Sequence, residues 1–386
     1  MNGLWEGRPG GAMGCILVGT LIAALGGCSR QHATAGVLEK LDRARSYLDS
    51  AAQEMGFSGV VLIGLGEDIA FEEAYGFADA DLQVPMRADY RFRIGSLTKP
   101  ITASAVLVAV DRGLLGLDQQ ACRLLSSCPR SWEVVTVRHL LTHASGIADH
   151  FGELESVPVE ATAEELRRVL SSLPADEPLR AAAGTEYAYS NFNYILLGAV
   201  LEKVVGAPWE IILRQWVFEP LELKAMAYDD VYAIVTERVR GYERDDSLRL
   251  RNIDYDDHSA YAAGGLLSTA GDLFRWSRGM LTGKLFSAEL VEESLQPNLE
   301  DYGYGWQIRK FFDRTIYNHT GGIDGFSSHL AHYPDDGLTI VVLSNVEDDP
   351  AILRACDVAA RLFDWPVGTG PSGPDLTPRQ RCGLER

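Results

Sequence analysis

A serine and a lysine, Ser96 and Lys99, lie three residues apart where the sequence predicts the start of a helix. The residues before Ser96 have no helical period, whereas residues 101–110 are apolar and rich in helix formers. Pro100 suits the first turn of a helix, because the N–H groups there have no intrahelical acceptor. Residues i and i+3 share a helix face, so we expect the Lys99 amine to lie beside the Ser96 hydroxyl.

This pair could provide a nucleophile and its base. A serine hydroxyl is a weak nucleophile until a neighbouring base takes its proton, and a buried lysine with a lowered pKa can be that base. The chain has six lysines, and only Lys99 has a serine three residues before it. The alternative is that Ser96 caps the helix and that Lys99 is an ordinary surface charge.

Two further groups of polar residues lie at the ends of predicted elements. Tyr189 and Asn191 precede an apolar helix predicted over residues 194–205, and a loop that enters a helix can aim such side chains into a cleft. Residues 319–322 (HTGG) end a predicted strand, where an extended substrate could pair with the strand edge. Taken singly, these residues could equally be turn residues, a helix cap and a polar residue leaving a strand.

The elements that must position these residues are strands near both ends of the chain and helices between them. A helix is predicted over residues 36–54, and its apolar face consists of Leu38, Leu41, Ala44 and Leu48. The predicted strands are 58–64, 69–78, 302–308, 315–319, 327–333 and 338–344, and a closing helix is predicted over 348–363. The region from residue 96 to about 240 is mostly helical. The pattern predicts an α/β (α+β) fold, with one antiparallel sheet built from both termini around an inserted helical region.

The composition is that of a globular protein. Of the 386 residues, 46% are hydrophobic and 23% are charged, which is unlike a disordered chain. The net charge of -19 argues against nucleic acid as a partner, because binding to phosphates needs clustered Lys and Arg.

The first 28 residues are predicted to be an export signal. Residues 15–25 form an apolar run that is too short to span a bilayer and has the length of a signal-peptide core. The run ends at Leu-Gly-Gly-Cys, with Cys28 last, which resembles the lipobox of bacterial lipoproteins. We therefore expect a periplasmic protein anchored to a membrane through a lipid on Cys28. A simple cleaved signal with an incidental Cys28 is the alternative.

Export also affects how the cysteines are interpreted. Beyond Cys15 and Cys28, the chain contains Cys122, Cys128, Cys356 and Cys382. An even number in an oxidising compartment suggests disulfides. Cys122 and Cys128 could close a small loop, whereas pairing of the other two stays open because Cys382 lies in a Gly/Pro-rich tail. The sequence has no C-x-x-C pair, so a zinc site of that type is not expected.

The joint order of the three motifs is more specific than any one of them. S-x-x-K at 96–99, Y-x-N at 189–191 and H-T-G at 319–321 resemble the serine β-lactamase and penicillin-binding protein superfamily. Within it, the similarity is to class C β-lactamases, DD-carboxypeptidases, D-aminopeptidases and family VIII esterases. Other segments that look like this family are 138–147, 262–273 and 341–345. The resemblance runs from about residue 36 to 363 and implies the β-lactamase/DD-peptidase-like fold.

The resemblance implies chemistry through an acyl-enzyme. Ser96 would attack the carbonyl of an amide, an ester or a β-lactam, while Lys99 and Tyr189 share the role of base and Tyr189 passes the proton to the leaving group. The backbone N–H groups of Ser96 and Gly322 would form an oxyanion hole. Asn191 would hold the substrate amide and orient Lys99.

The resemblance also implies that His319, with Thr320 and Gly321, fixes the polar end of the substrate beside Tyr189. Most β-lactamases of the group have a lysine at this position, and a histidine looks more like some DD-carboxypeptidases and D-aminopeptidases. Imidazole is charged only below a pKa near 6.5. We therefore expect its attraction for a substrate carboxylate to fade above neutral pH, and His319→Lys to raise the alkaline limit of activity.

The predicted organisation is a signal peptide with lipobox over 1–28, a serine hydrolase domain over 29–365 and a flexible tail over 366–386. No metal or organic cofactor is expected. His139 and His143 are spaced i and i+4, but no glutamate follows His139 as in H-E-x-x-H, and in the resembling family this stretch is structural.

The expected partner is a small-molecule or peptidoglycan-like substrate. DD-peptidase, β-lactamase and family VIII-type esterase activities stay open, as does the oligomeric state. A non-catalytic penicillin-binding or sensing protein is the alternative of another class. Its usual mark would be the loss of Lys99, Tyr189 or the nucleophile, all of which are present.

Overall fold

The computed structural model describes residues 27–125, 127–153, 162–230, 233–253, 260–311 and 313–364. The predicted signal segment up to residue 26 and the predicted tail, with Cys382, lie outside these ranges. No helix in the described ranges combines the length and the apolar character that crossing a bilayer requires.

The main sheet combines strands from the two ends of the chain. The described strands are β1 (Gly59–Leu65), β2 (Asp68–Tyr75), β3 (Phe77–Asp79), β4 (Val84–Pro85), β5 (Phe92–Arg93), β6 (Ala227–Tyr228), β7 (Tyr242–Arg244), β8 (Leu250–Asn252), β9 (Leu266–Ser268), β10 (Gln307–Phe311), β11 (Arg314–Ile323), β12 (Phe326–Tyr333) and β13 (Leu338–Ser344). Six of them form a sheet in the order β10-β11-β12-β13-β1-β2, and each neighbouring pair is antiparallel. The predicted sheet built from both termini is confirmed.

Helices cover both faces of this sheet. The described α-helices are α1 (Gly27–Glu54), α2 (Thr98–Asp111), α3 (Val137–Leu141), α4 (Thr162–Ser172), α5 (Asn191–Val205), α6 (Trp209–Leu213), α7 (Tyr261–Gly264), α8 (Ala270–Leu281), α9 (Ala288–Ser294) and α10 (Ala351–Leu362). Side chains of β1 alternate between two cores: Val61 and Ile63 pack with α1 and α10, whereas Val60 and Leu62 belong to the larger core of the helical region. This double covering explains why β1 and β13 are apolar at most positions.

The apolar face of α1 is shifted along the helix from the predicted one. Leu41, Ala44 and Leu48 are buried as predicted, but Leu38 is 57% exposed. The amine of Lys40 already donates to the backbone oxygen of Leu362, the last residue of α10. Leu38 therefore projects past the end of the helix that covers its neighbours.

The strand predicted over residues 302–308 begins only at Gln307. Tyr302, Tyr304 and Trp306 are buried and alternate with glycines in the sequence, which imitates the period of a strand. The segment instead folds back on itself, because the N–H of Gly303 donates to the backbone oxygen of Trp306 at 2.8 Å. It brings Tyr302 against the candidate site described next.

Candidate active site

Ser96 lies in a 3-10 turn that joins a short strand to a buried helix. The turn spans Gly95–Leu97 and follows β5, and α2 begins immediately after it. Lys99, in the first turn of α2, is 0% exposed, and its Nζ lies 2.9 Å from Ser96 Oγ. Leu97 is the residue at the N-cap position, and no side chain caps the helix there. Ser96 is therefore not a helix cap, and Lys99 is not a surface charge.

The Lys99 amine is held by three oxygen atoms. Besides Ser96 Oγ, it donates to Asn191 Oδ1 at 2.7 Å and to the backbone oxygen of Ala263 at 2.9 Å. Burial, which disfavours the charged form, lowers the pKa of Lys99 to about 7. Near neutral pH a large fraction of Lys99 is then the neutral amine, which can accept the Ser96 proton.

Tyr189 completes this group from the other side of the serine. Its hydroxyl donates to Ser96 Oγ at 2.9 Å, and Lys99 Nζ lies 4.9 Å from the centre of its ring. The residue is 40% exposed, yet loss of solvent around the phenol raises its pKa above the ordinary value. Tyr189 is therefore a neutral proton donor at neutral pH, which leaves Lys99 as the stronger candidate for the base.

His143 holds the Tyr189 loop on both sides, a contact that the sequence analysis missed. Its backbone oxygen accepts from the Ala188 N–H at 2.9 Å, and its Nδ1 accepts from the Ser190 N–H at 3.2 Å. The centres of the His143 and Tyr189 rings are 4.5 Å apart. Burial lowers the pKa of His143 well below its ordinary value, so the ring is neutral, and the Ser190 N–H that points at Nδ1 makes this nitrogen the acceptor.

The opposite wall of the cleft is β11, which approaches the serine turn closely. A Cβ on Gly321 would lie 2.0 Å from the backbone oxygen of Ile94, and one on Gly95 would lie 2.7 Å from that of Gly322. Gly95 also has a φ of +50°, in the left-handed region that glycine tolerates best. The glycines of the predicted H-T-G-G motif therefore allow the strand to approach the serine turn this closely.

The cleft between the walls has a volume of about 200 Å³. Ser96 and Gly322, the two predicted oxyanion donors, both line it, as does Asn191. The structure thus brings Ser96, Lys99, Tyr189 and Asn191 into direct contact and places the strand residues opposite them. Their roles in catalysis stay predictions.

The expectation that His319 is a titrating cation is wrong. Its side chain is 1% exposed, its Nδ1 lies 2.6 Å from the backbone oxygen of Thr320, and its Nε2 lies 3.0 Å from the Tyr302 hydroxyl. A backbone oxygen can only accept, so Nδ1 carries a proton, and the Tyr302 hydroxyl is the partner of Nε2. Burial, followed by the charge of Lys99, lowers the pKa of His319 to about 3.

The cysteine and histidine predictions away from the cleft can also be placed. Cys122 and Cys128 form a disulfide with their Cα atoms 5.5 Å apart, and Cys356 is buried in α10. His139 Nδ1 accepts from the Thr136 N–H at 3.3 Å. Within the described ranges, no group of three or more His, Cys, Asp or Glu side chains is placed to hold a metal ion.

Comparison with known proteins gives matches over most of the chain. The sequence model of the Beta-lactamase family matches residues 44–363. Penicillin-binding protein 4* of Bacillus subtilis is 27% identical over 347 residues, which cover 81% of this chain and 75% of that protein.

Two solved structures illustrate the similarity in fold. The octameric penicillin-binding protein homologue from Pyrococcus abyssi has a TM-score of 0.76 at 24% identity, covering 88% of this chain and 79% of that one. A D-stereospecific amidohydrolase from Streptomyces sp. has a TM-score of 0.68 at 23% identity, covering 84% of this chain and 98% of that one.

Proposed function

The chain belongs to the Beta-lactamase family, and on this premise we propose that it is a serine hydrolase that forms an acyl-enzyme on Ser96. We propose an amide or β-lactam as the substrate, as in a DD-peptidase or β-lactamase of the cell envelope. The observation that carries the proposal is the buried Lys99 amine, held between Ser96 Oγ and Asn191 Oδ1. The 27% identity to a penicillin-binding protein supports the choice of substrate class.

The proposed reaction moves one proton around the serine. The neutral Lys99 amine takes the Ser96 proton as Oγ bonds to the substrate carbonyl carbon, and the carbonyl oxygen becomes an oxyanion in the cleft. Tyr189 gives its proton to the leaving group as the scissile bond breaks, and the proton on Lys99 restores the phenol. Loss of one oxyanion donor in such a site typically costs about 3–4 kcal/mol of transition-state stabilisation.

An ester substrate is the second candidate, and the state of His319 favours it. A DD-peptidase must bind the C-terminal carboxylate of its substrate, but the His319 ring is neutral. Of the described residues that line the cleft, Arg93 is the one cation, and its Nε already pairs with Asp229 at 2.6 Å. The acidic residue Asp324 also lines the cleft. This charge pattern suits an acyl group without a terminal carboxylate.

Intact-protein mass spectrometry after mixing with benzylpenicillin separates these functions, with Ser96→Ala as the control. A lasting adduct that requires Ser96 is the result expected for a penicillin-binding peptidase, and a brief adduct with drug consumption indicates a β-lactamase. If neither occurs, hydrolysis of p-nitrophenyl acetate that requires Ser96 would establish the esterase. The absence of all three, together with no Ser96-dependent cleavage of D-amino-acid peptides, would contradict the serine hydrolase. Equal penicillin binding by Ser96→Ala would indicate a non-catalytic binding protein.

We further propose export with a lipid on Cys28, supported by the apolar run over 15–25 and the lipobox-like end. The test is expression of the full chain in a Gram-negative bacterium, followed by fractionation. The lipoprotein should be found in the membrane fraction, and Cys28→Ala should release it or block its processing. Equal fractionation of the two forms, with the same processed mass, would contradict the anchor.

A further inference from the structure

The first turn of α5 is capped by a side chain from a distant segment. Ser190 is the residue at the N-cap position, but its side chain makes no capping hydrogen bond. Instead, Asp149, located 42 residues before Asn191, accepts from the Asn191 N–H with Oδ2 at 3.2 Å and from the Phe192 N–H with Oδ1 at 3.1 Å. Oδ1 also accepts from the Phe151 N–H at 3.3 Å. A helix start has four N–H groups without an intrahelical acceptor, and the Asp149 carboxylate pairs with two of those in α5.

The residue that Asp149 caps, Asn191, also contacts Lys99, the base of the proposed reaction. Asn191 is the first residue of α5, and its Oδ1 accepts from Lys99 Nζ at 2.7 Å. The Asp149 carboxylate therefore binds the backbone of the residue whose side chain binds the amine. It also brings a negative charge close enough to raise the pKa of Lys99, opposing the effect of burial.

We propose that Asp149 is a positioning residue for Lys99: its carboxylate fixes Asn191 against the amine and supplies the negative charge that steadies the protonated amine. The inference rests on the proposed function only in giving Lys99 a catalytic role. The contacts and the charge exist whatever the substrate is. A carboxylate at the positive end of a helix is itself favourable, so the arrangement serves the helix and the amine together.

Within the described part of the chain, Asp149 is the side chain whose negative charge acts on Lys99. The other titratable groups facing the amine are Tyr189 and Tyr194, with ring centres 4.9 and 5.9 Å from Nζ. Burial raises the pKa of both phenols. His143 and His319 are also coupled to Lys99, and burial lowers the pKa of each ring. All four are neutral near pH 7, so the charge of Asp149, which is exposed and partly screened by water, is the one among these groups whose removal should lower the pKa of Lys99.

The test measures Lys99 directly and does not depend on a substrate. In the full-length protein labelled with carbon-13 lysine, six lysines give few signals, and Lys99→Arg identifies the one that titrates near pH 7. Asp149→Asn keeps one acceptor oxygen but removes the charge. We expect it to lower the titration midpoint of Lys99 by roughly one pH unit, as removal of a nearby opposite charge does. If Asp149→Asn does not fold, Asp149→Ser provides the same loss of charge with a capping hydroxyl.

Asp111 offers a matched control. It is exposed, and its Oδ1 accepts a hydrogen bond from the Ser287 N–H at 3.2 Å. It is the last residue of α2, about 20 Å from Lys99 along the helix axis. Asp111→Asn should leave the Lys99 midpoint unchanged, whereas Asp149→Glu, which keeps the charge, should restore most of the wild-type value. An unchanged midpoint in folded Asp149→Asn, or an equal fall in Asp111→Asn, would overturn the proposal. Failure of the proposed function would appear separately, as a wild-type protein without Ser96-dependent turnover.

Discussion

The two walls of the cleft each bury a basic side chain, a lysine on one wall and a histidine on the other. On the helical wall, Lys99 is surrounded by oxygen acceptors and has a carboxylate nearby, and its pKa falls to about 7. On the strand wall, His319 has a phenol and a carbonyl as partners and the Lys99 charge nearby, and its pKa falls to about 3. Burial is nearly complete for both. The pKa of Lys99 falls from 10.5 and that of His319 from 6.5, so the two shifts are similar, and burial is the largest cause of both. The higher ordinary pKa of lysine therefore decides which of the two can exchange a proton near neutral pH.

This difference assigns a separate task to each wall. The helical wall contains the groups that can transfer protons, namely Ser96, Lys99 and Tyr189. The strand wall contributes shape, through Gly321 against the serine turn, and a backbone N–H at Gly322. Each assignment can be tested by a variant that affects one wall and spares the other.

Removing the base of the helical wall should have the largest effect. Lys99→Met keeps an unbranched side chain but cannot accept the Ser96 proton, so we expect kcat/KM to fall by roughly 10²–10⁴-fold. Lys203→Met is the matched control, because Lys203 is exposed in α5 and should lose nothing. A loss of less than about tenfold in Lys99→Met would argue against general base catalysis by this residue.

The burial of Lys99 should also make the free energy of unfolding depend on pH. Its folded-state pKa of about 7 lies below the ordinary value of 10.5, so between these pH values the unfolded chain binds the extra proton. The folded state is therefore less stable at pH 7 than at pH 10.5. As the pH rises between these values, the free energy of unfolding of the wild-type protein should increase by about 4 kcal/mol relative to that of Lys99→Met. Denaturant unfolding of both proteins across this range measures the difference. A constant difference would show that Lys99 is charged in the folded state.

The contact between the walls should fail when a methyl group is added at Gly321. Gly321→Ala places a Cβ against the backbone oxygen of Ile94, and a displacement of about 1 Å at a reacting centre can lower the rate by about 10²-fold. Gly322→Ala is the control for stability, because a Cβ there has no atom within 4 Å. Thermal unfolding should show a lower Tm for Gly321→Ala alone. Equal Tm values would show that the close approach does not constrain the fold.

The smallest expected effect concerns the His143 contact with the Tyr189 loop. Asn has an acceptor near the position of Nδ1 and tolerates the left-handed φ of +54° at this site. His143→Asn should therefore keep most of the activity, whereas His143→Ala, which leaves the Ser190 N–H without its partner, should lower kcat by about tenfold. Steady-state kinetics distinguish the two. Equal losses would mean that the ring packing, and not the hydrogen bond, holds Tyr189.

The sequence predicted the features that depend on local pattern. The strands predicted at 58–64, 327–333 and 338–344 correspond to β1, β12 and β13. The family resemblance is confirmed by the match over residues 44–363. The approach of Lys99 to Ser96 also followed from local spacing, because both lie within one helical turn.

Features that depend on packing between distant segments could not be predicted. The contacts of His143 and Asp149 with the start of α5 join segments more than 40 residues apart, and neither residue has a local signal. The charge of His319 was misjudged because a pKa depends on burial, which the motif does not encode. The lipid anchor, the signal peptide and the pairing of Cys356 with Cys382 stay predictions.

The pH dependence of Ser96 acylation tests the contrast between the walls most directly. The rate should be followed from about pH 5 to about pH 9 by intact mass, for the wild-type protein and His319→Gln, with whichever of benzylpenicillin and p-nitrophenyl acetate reacts. We predict that both rates rise through a midpoint near pH 7, where Lys99 loses its proton. A rise that disappears in His319→Gln would contradict the account, because the titrating group would then be on the strand wall.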